Sequence, residues 1–192
     1  LTGRLPSQHG VHDFLREEAG RYYDWLAGEA LLPELLRQAG YRTALIGKWH
    51  LDASRTEPAR GFDRWLSYDV TREGWRNQYQ HRGAVHLSDN GTAVTLTGFQ
   101  TTNLVDAAIE WVARSGDERP FFLLLAPTDT HVPYQGQPER WVSRYRDPGL
   151  LDLVRTPPGL LPPSNNAARA ADDLADLLAE YLAGVSHQDA EL

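Results

Sequence analysis

The sequence predicts an α/β fold: a mostly parallel sheet flanked by helices, with an antiparallel hairpin insertion near residues 60–100. Three features predict it. A helical segment opened by Pro33 stops at Gly40 and passes directly into the apolar strand segment 41–46, which is the helix-to-strand unit of such a sheet. Residues 121–126 form an unbroken apolar run, the pattern of a parallel strand buried on both faces. Asp89-Asn90-Gly91 is a strong turn signal between two short strand-like segments, 84–87 and 93–96.

In chain order, residues 1–16 carry turn chemistry around Pro6 and Gly10 and are expected to be loop and short helix. The helix at 33–39 and the strand at 41–46 follow. Residues 60–99 change to aromatics and short alternating segments, which places the hairpin there. Leu104, Ala108, Trp111 and Val112 recur at helical spacing, with Thr101 or Thr102 as the expected cap and Gly116 as the stop. After the apolar strand at 121–126, residues 147–166 carry five prolines and are expected to be a long, mobile connection. Leu174, Leu177, Leu178, Tyr181, Leu182 and Val185 then form an apolar stripe at helical spacing, expected to be core packing.

With 192 residues, 41% hydrophobic and 23% charged, the chain has the composition of one ordinary globular domain. Its net charge of −7 and the lack of basic runs interleaved with aromatics argue against a nucleic-acid partner. No apolar run approaches the roughly 20 residues of a membrane helix, and no charged-then-apolar signal segment opens the chain. Without cysteine it can form neither disulfides nor thiolate metal sites. It also lacks methionine, position 1 included, so the sequence reads as processed, trimmed or part of a longer reading frame.

The densest chemistry lies at Gly47-Lys48-Trp49-His50. If the chain stays extended beyond Gly47, Lys48 and His50 project together and Trp49 projects the opposite way. A fixed ammonium beside an imidazole suits an oxyanion, above all one whose charge moves onto a leaving oxygen. His131, in Pro127-Thr128-Asp129-Thr130-His131-Val132-Pro133, follows the C-terminal end of an apolar strand, where open α/β sheets place ligands.

Four segments in order carry a family resemblance. Gly40-Tyr41-Arg42-Thr43 through Gly47-Lys48-Trp49-His50 resembles the second signature of the sulfatase family, within the alkaline phosphatase superfamily. Leu1-Thr2-Gly3-Arg4-Leu5-Pro6-Ser7 is similar to the tail of its first signature, the segment 120–133 to its buried strand and His-x-Pro turn, and Tyr181 to Asp189 to a helix carrying Tyr-x-Ala and a later Asp. The resemblance implies a sulfuric ester hydrolase in which a formylglycine attacks sulfur while a carboxylate-bound calcium holds the sulfate oxygens. It further implies that Lys48 binds a sulfate oxygen, His50 stabilises the formylglycine end, and His131 donates to the leaving oxygen. Arg4 is expected to support the nucleophile loop. His9 and His12 are expected to be structural or peripheral, and His81, His86 and His187 to lie at the surface.

The nucleophile, the calcium ligands and their signatures have no match here, so the resemblance implies a single domain, 1–192, truncated at both ends. Asp69, Asp89 and Asp129 are the remaining carboxylates of interest, but their spacing forms no calcium loop. The 192 residues alone are expected to be inactive, and a sheet short of strands to self-associate. The expected ligand is a small-molecule or carbohydrate sulfate ester, with no nucleic-acid or membrane partner. Two alternatives remain open: a hydrolase of phosphate or phosphonate monoesters in the same superfamily, and a degenerate, non-catalytic binding domain.

Overall fold

The structure, a computed structural model, describes residues 1–12, 25–51, 55–72, 77, 79–114, 117–147, 149 and 171–192, with side chains of 171–174 excepted. Two units divide the chain, Leu1–Thr128 and Asp129–Leu192.

The first unit opens with the single helical turn α1 (Pro6–His9) and the helix α2 (Leu32–Gln38). Pro33 lies in the first turn of α2 and Glu34 Oε2 accepts the Leu31 backbone N–H at 3.1 Å, satisfying one of the donors that a helix start leaves open. Gly40, at φ 90°, then turns the chain into β1 (Arg42–Gly47). The sheet continues with β2 (Arg64–Tyr68), β3 (Val85–Asp89), β4 (Thr92–Leu96) and, after the helix α3 (Gln100–Val112), β5 (Phe121–Ala126).

The strand order is β4-β3-β2-β1-β5. β1 pairs in parallel with both β2 and β5, while β2–β3 and β3–β4 are antiparallel. The sheet is therefore mixed, and the hairpin is not set apart from it. Asn90 and Gly91 take positive φ of 48° and 89°, as a two-residue hairpin turn of this hand requires. The turn is also fastened to β2, because the Trp65 N–H donates to Asn90 Oδ1 at 2.6 Å and the Asn90 N–H to Trp65 O at 2.9 Å. β2 itself is a strand that pattern reading did not separate from the surrounding aromatics.

Alternation along the strands produces two cores. Ala44, Ile46, Leu66, Tyr68, Val85 and Leu87 pack with Leu104, Ala108 and Trp111 of α3. Leu45 and Trp65 face the other way, into an aromatic cluster with Trp49, Phe62 and Ala59. Trp49 meets Trp65 at 5.6 Å and Phe62 at 5.9 Å between ring centroids, both edge-on.

Two expectations are corrected, and a third is not tested. The cap of α3 is Phe99, without a side-chain hydrogen bond, and Thr101 is a buried residue of the helix, as its apolar face starts earlier than the threonines suggested; Gly116 lies outside the described residues. β5 is half-exposed instead of buried on both faces, because β1 is its one partner among the described residues. The 147–166 connection lies almost wholly outside the described residues.

The second unit contains α4 (Glu139–Tyr145) and α5 (Ala171–Glu191). Here the stripe is also corrected: the buried face of α5 is Ala179, Ala183 and His187, whereas Tyr181 and Val185 are exposed. Small side chains let α5 approach Val142, Trp141 and Tyr145 of α4 closely. Tyr145 and Ser186 share a 2.6 Å hydrogen bond between hydroxyls.

Candidate functional site

Gly47 ends β1 with φ 117°, and a Cβ built there would lie 2.1 Å from the Ala126 carbonyl oxygen. Only glycine fits this close approach to β5. The next residue completes the junction, its N–H donating to Ala126 O at 2.7 Å. The backbone of Lys48 is thus fixed at the carboxyl ends of two parallel strands, the place where open α/β sheets bind ligands.

Lys48 is half-buried. Its Nζ donates to Tyr79 Oη at 3.0 Å and lies 4.7 Å from that ring's centroid. Trp49 turns into the aromatic cluster, and His50 is again half-buried, with Nε2 shielded from solvent. This is the burial alternation expected of an extended Lys-Trp-His segment. Tyr79 was not singled out from the sequence, where nothing distinguishes it from the neighbouring aromatics.

Tyr79 is delivered by the connection between β2 and β3, which a buried amide organises. Asn77 is fully buried; its Nδ2 donates to Asp69 O at 3.1 Å and His86 O at 2.6 Å, while its Oδ1 accepts the His86 N–H at 2.8 Å. Asp69 caps the turn that follows β2, accepting from Thr71 N at 3.0 Å and Thr71 Oγ1 at 2.5 Å.

Arg4 lies in the same unit and is engaged by Glu29 through Nε at 3.2 Å and Nη1 at 3.3 Å. Leu1 O also accepts the Leu32 N–H at 2.8 Å, so the first residues are tied to the start of α2. His9 takes part in its own turn, Nδ1 accepting the Val11 N–H at 3.2 Å, and His12 is exposed.

His131 belongs to the second unit. It is exposed, with Nδ1 2.6 Å from the Val132 carbonyl oxygen. A carbonyl only accepts, so Nδ1 carries the hydrogen, and Nε2 can donate only from the imidazolium form.

The surface placement expected for three histidines fails for two. His81 is 3% exposed, its carbonyl accepting the N–H of Gln100 at the start of α3, and His187 is 1% exposed on the small-residue face of α5. His86 is half-buried, paired with Thr95 Oγ1 at 2.9 Å. Burial holds the His187 imidazole below its ordinary pKa, against the opposing pull of Asp129 and Glu191.

No group of three or more His, Cys, Asp or Glu among the described residues could hold a metal ion. Asp89 pairs with Arg64, Asp69 with Thr71, and Asp129 accepts from Gln137. The described donor set therefore does not fit a calcium site. No described helix is long and apolar enough to cross a membrane.

With this geometry in view, similarity to known proteins is informative. The family model described as Sulfatase matches residues 1–189. The chain is 30% identical over 165 residues to N-acetylgalactosamine-6-sulfatase of Homo sapiens, a match covering 72% of this chain and 30% of that protein. It is 29% identical over 153 residues to N-acetylglucosamine-6-O-sulfatase of Bacteroides thetaiotaomicron, covering 79% of this chain and 23% of that protein. A protein solved in complex with its substrate D-glucosamine-2-N,6-O-disulfate shares the fold at a TM-score of 0.57 and 24% identity, over 76% of this chain and 26% of that one. The chain thus spans under a third of the length of these relatives.

Proposed function

Because this chain belongs to the sulfatase family, we propose that the whole protein hydrolyses sulfate monoesters and that Lys48, His50 and His131 are this chain's contribution to the reaction. The observation that supports the reading is the junction of β1 and β5, where Gly47 and the 2.7 Å bond from Lys48 N to Ala126 O fix the backbone of the half-buried Lys48 at the carboxyl ends of two parallel strands. Lys48 neutralises a sulfate oxygen without proton loss, and Tyr79 restrains its ammonium. His50 adds a second donor one strand repeat further on. Ester cleavage puts negative charge on the departing oxygen, so a proton delivered there stabilises the transition state more than the ground state. His131 is assigned that delivery from Nε2, as the imidazolium, with Nδ1 directed to Val132 O. Arg4 is assigned support of the first segment through Glu29.

The substrate class proposed is a sulfated carbohydrate. Two relatives named for sulfated amino sugars support it. The calcium and formylglycine of the family are proposed for the whole protein only, and none of the roles above is derived from them.

Sulfate release from aryl sulfate and amino-sugar 6-sulfates, compared with aryl phosphonate hydrolysis by the whole protein, tests the reading. We expect sulfate esters to have the higher kcat/KM, and Lys48→Ala or His131→Ala to lower it by about 10²-fold or more. A higher kcat/KM for phosphonate would move the assignment to the phosphoester branch. The 192 residues alone are expected to give no turnover. Calcium-dependent aryl sulfate hydrolysis by them, lost in His131→Ala, would overturn that expectation.

A further inference from the structure

α5 grips one glutamine at three points of a single helix face. Glu180 Oε2 accepts the Gln137 backbone N–H at 3.4 Å. At Gly184 an added Cβ would sit 3.2 Å from Gln137 Nε2 and 3.2 Å from Thr130 Cγ2, so the missing side chain is what lets both residues lie against the helix. His187 Nδ1 is 3.4 Å from Gln137 Oε1. Positions 180, 184 and 187 follow the i, i+4, i+7 spacing of one face. Gln137 is 8% and His187 1% exposed, so water does not compete for these bonds.

The amide continues outward. Gln137 Nε2 donates to Asp129 Oδ1 at 2.7 Å, and because a carboxylate only accepts, the nitrogen must face Asp129 and the oxygen must face His187. On its far side His187 Nε2 meets Glu191 Oε1 at 3.4 Å, which in turn lies 3.7 Å from Arg140 Nη2. Directed polar contacts thus run from His187 through Gln137 to Asp129, two residues before His131, while the methyl of Thr130 lies against Gly184.

We propose that Gln137 is a positioning residue for His131: it holds the Asp129 and Thr130 segment in place, and Gly184 and His187 act on His131 through it. The catalytic consequence rests on the role assigned to His131 above, but the positioning does not. A buried amide with both ends committed to partners of opposite kind tolerates one orientation only, and no other side chain matches both its shape and its polarity.

Backbone and methyl relaxation by NMR on the full 192-residue chain tests this with two variants. Gln137→Leu keeps the volume and removes both bonds; Gly184→Ala leaves every bonding group intact, favours helix, and crowds Gln137 and Thr130. In both, the order parameters of Thr130 and His131 should fall from the rigid range near 0.85 to below about 0.6 while those of α4 and α5 stay rigid. Unchanged order at residues 130 and 131 in both variants would overturn the proposal, as would a loss that appears only when α5 itself loosens. If the segment loosens as expected but His131→Ala leaves sulfate ester turnover of the whole protein intact, the positioning stands and the role assigned to His131 falls.

Discussion

Gly47→Ala should be among the most damaging single-methyl additions in the first unit, and the structure permits its cost to be worked out. The new Cβ would lie 2.1 Å from Ala126 O and 2.5 Å from Ala126 C, both backbone atoms that no side-chain rotation can move aside. Residue 47 also sits at φ 117°, outside the range comfortable for an L side chain, which costs about 1–3 kcal/mol. Displacing β5 to relieve the overlap lengthens the 2.7 Å bond from Lys48 N to Ala126 O, at about 1 kcal/mol more, and disturbs packing at about 1–3 kcal/mol. The sum, about 3–7 kcal/mol, is a large share of a domain's stability. Gly40→Ala supplies the control: φ is 90° there, but no atom lies within 4 Å of the added Cβ, so only the backbone term of about 1–2 kcal/mol remains. Urea unfolding followed by tryptophan fluorescence, with Trp49 and Trp65 in the adjacent cluster, should separate the variants by about 1–2 M in midpoint for a slope of about 2 kcal/mol per molar. Coincident midpoints would refute the claim that contact with β5, and not φ alone, makes glycine necessary at position 47.

Asn77→Leu removes three buried hydrogen bonds and strands the His86 N–H, so it should cost about 2–4 kcal/mol in the same urea assay; a loss below about 0.5 kcal/mol would contradict the role given to Asn77. His187 gives a pH dependence. Its folded pKa lies below that of the unfolded imidazole because burial outweighs Asp129 and Glu191, with Arg140 pushing the same way as burial; stability should therefore fall as pH drops through about 6.5, where the unfolded chain binds a proton that the folded chain does not. Urea midpoints across that range should flatten in His187→Gln. Arg119 hydrogen bonds hold the Asp117 carboxyl down to about 2, so an NMR titration should place its midpoint there and Arg119→Gln should raise it, with the residue-119 backbone N–H and Arg42 still holding it below the ordinary carboxylate range.

Much of the first unit was legible because its signals are local. Pro33 and Gly40 bracket α2, the Asn90-Gly91 pair demands a hairpin, and the apolar runs at β1 and β5 have no other good use. Gly47-Lys48-Trp49-His50 was legible for the same reason, since alternation decides which side chain turns into the core. What escaped depends on partners distant in sequence. β2 is a strand because Ala44 to Gly47 and the hairpin flank it, and Arg64 to Tyr68 show no alternation to announce that. Tyr79 meets Lys48 only after Asn77 has folded the β2–β3 connection. The face of α5 was misread because size was taken as the guide to burial; close approach to α4 favours Ala179 and Ala183 inside, with Tyr181 left outside against Tyr134. His187 was assigned to the surface on the ground that no chemistry surrounds it in sequence, yet its partners Gln137 and Glu191 come from a distant loop and from the next turn of its own helix.

The pairing of β1 with β5 also bears on the order in which the chain can acquire its site. β3 and β4 meet across a two-residue turn and β2 reaches them across residues 69–84, whereas Arg42 must find Phe121, beyond all of these in sequence. Closing that large loop costs more entropy than closing the hairpin, and is repaid only when the whole strand docks. Lys48 acquires its fixed backbone from Ala126, so the geometry proposed here for holding the sulfate is expected to be a late product of folding. A nascent chain released before β5 emerges would hold a hairpin and a helix but no formed site, and recovery of sulfate binding during refolding should lag the return of secondary structure.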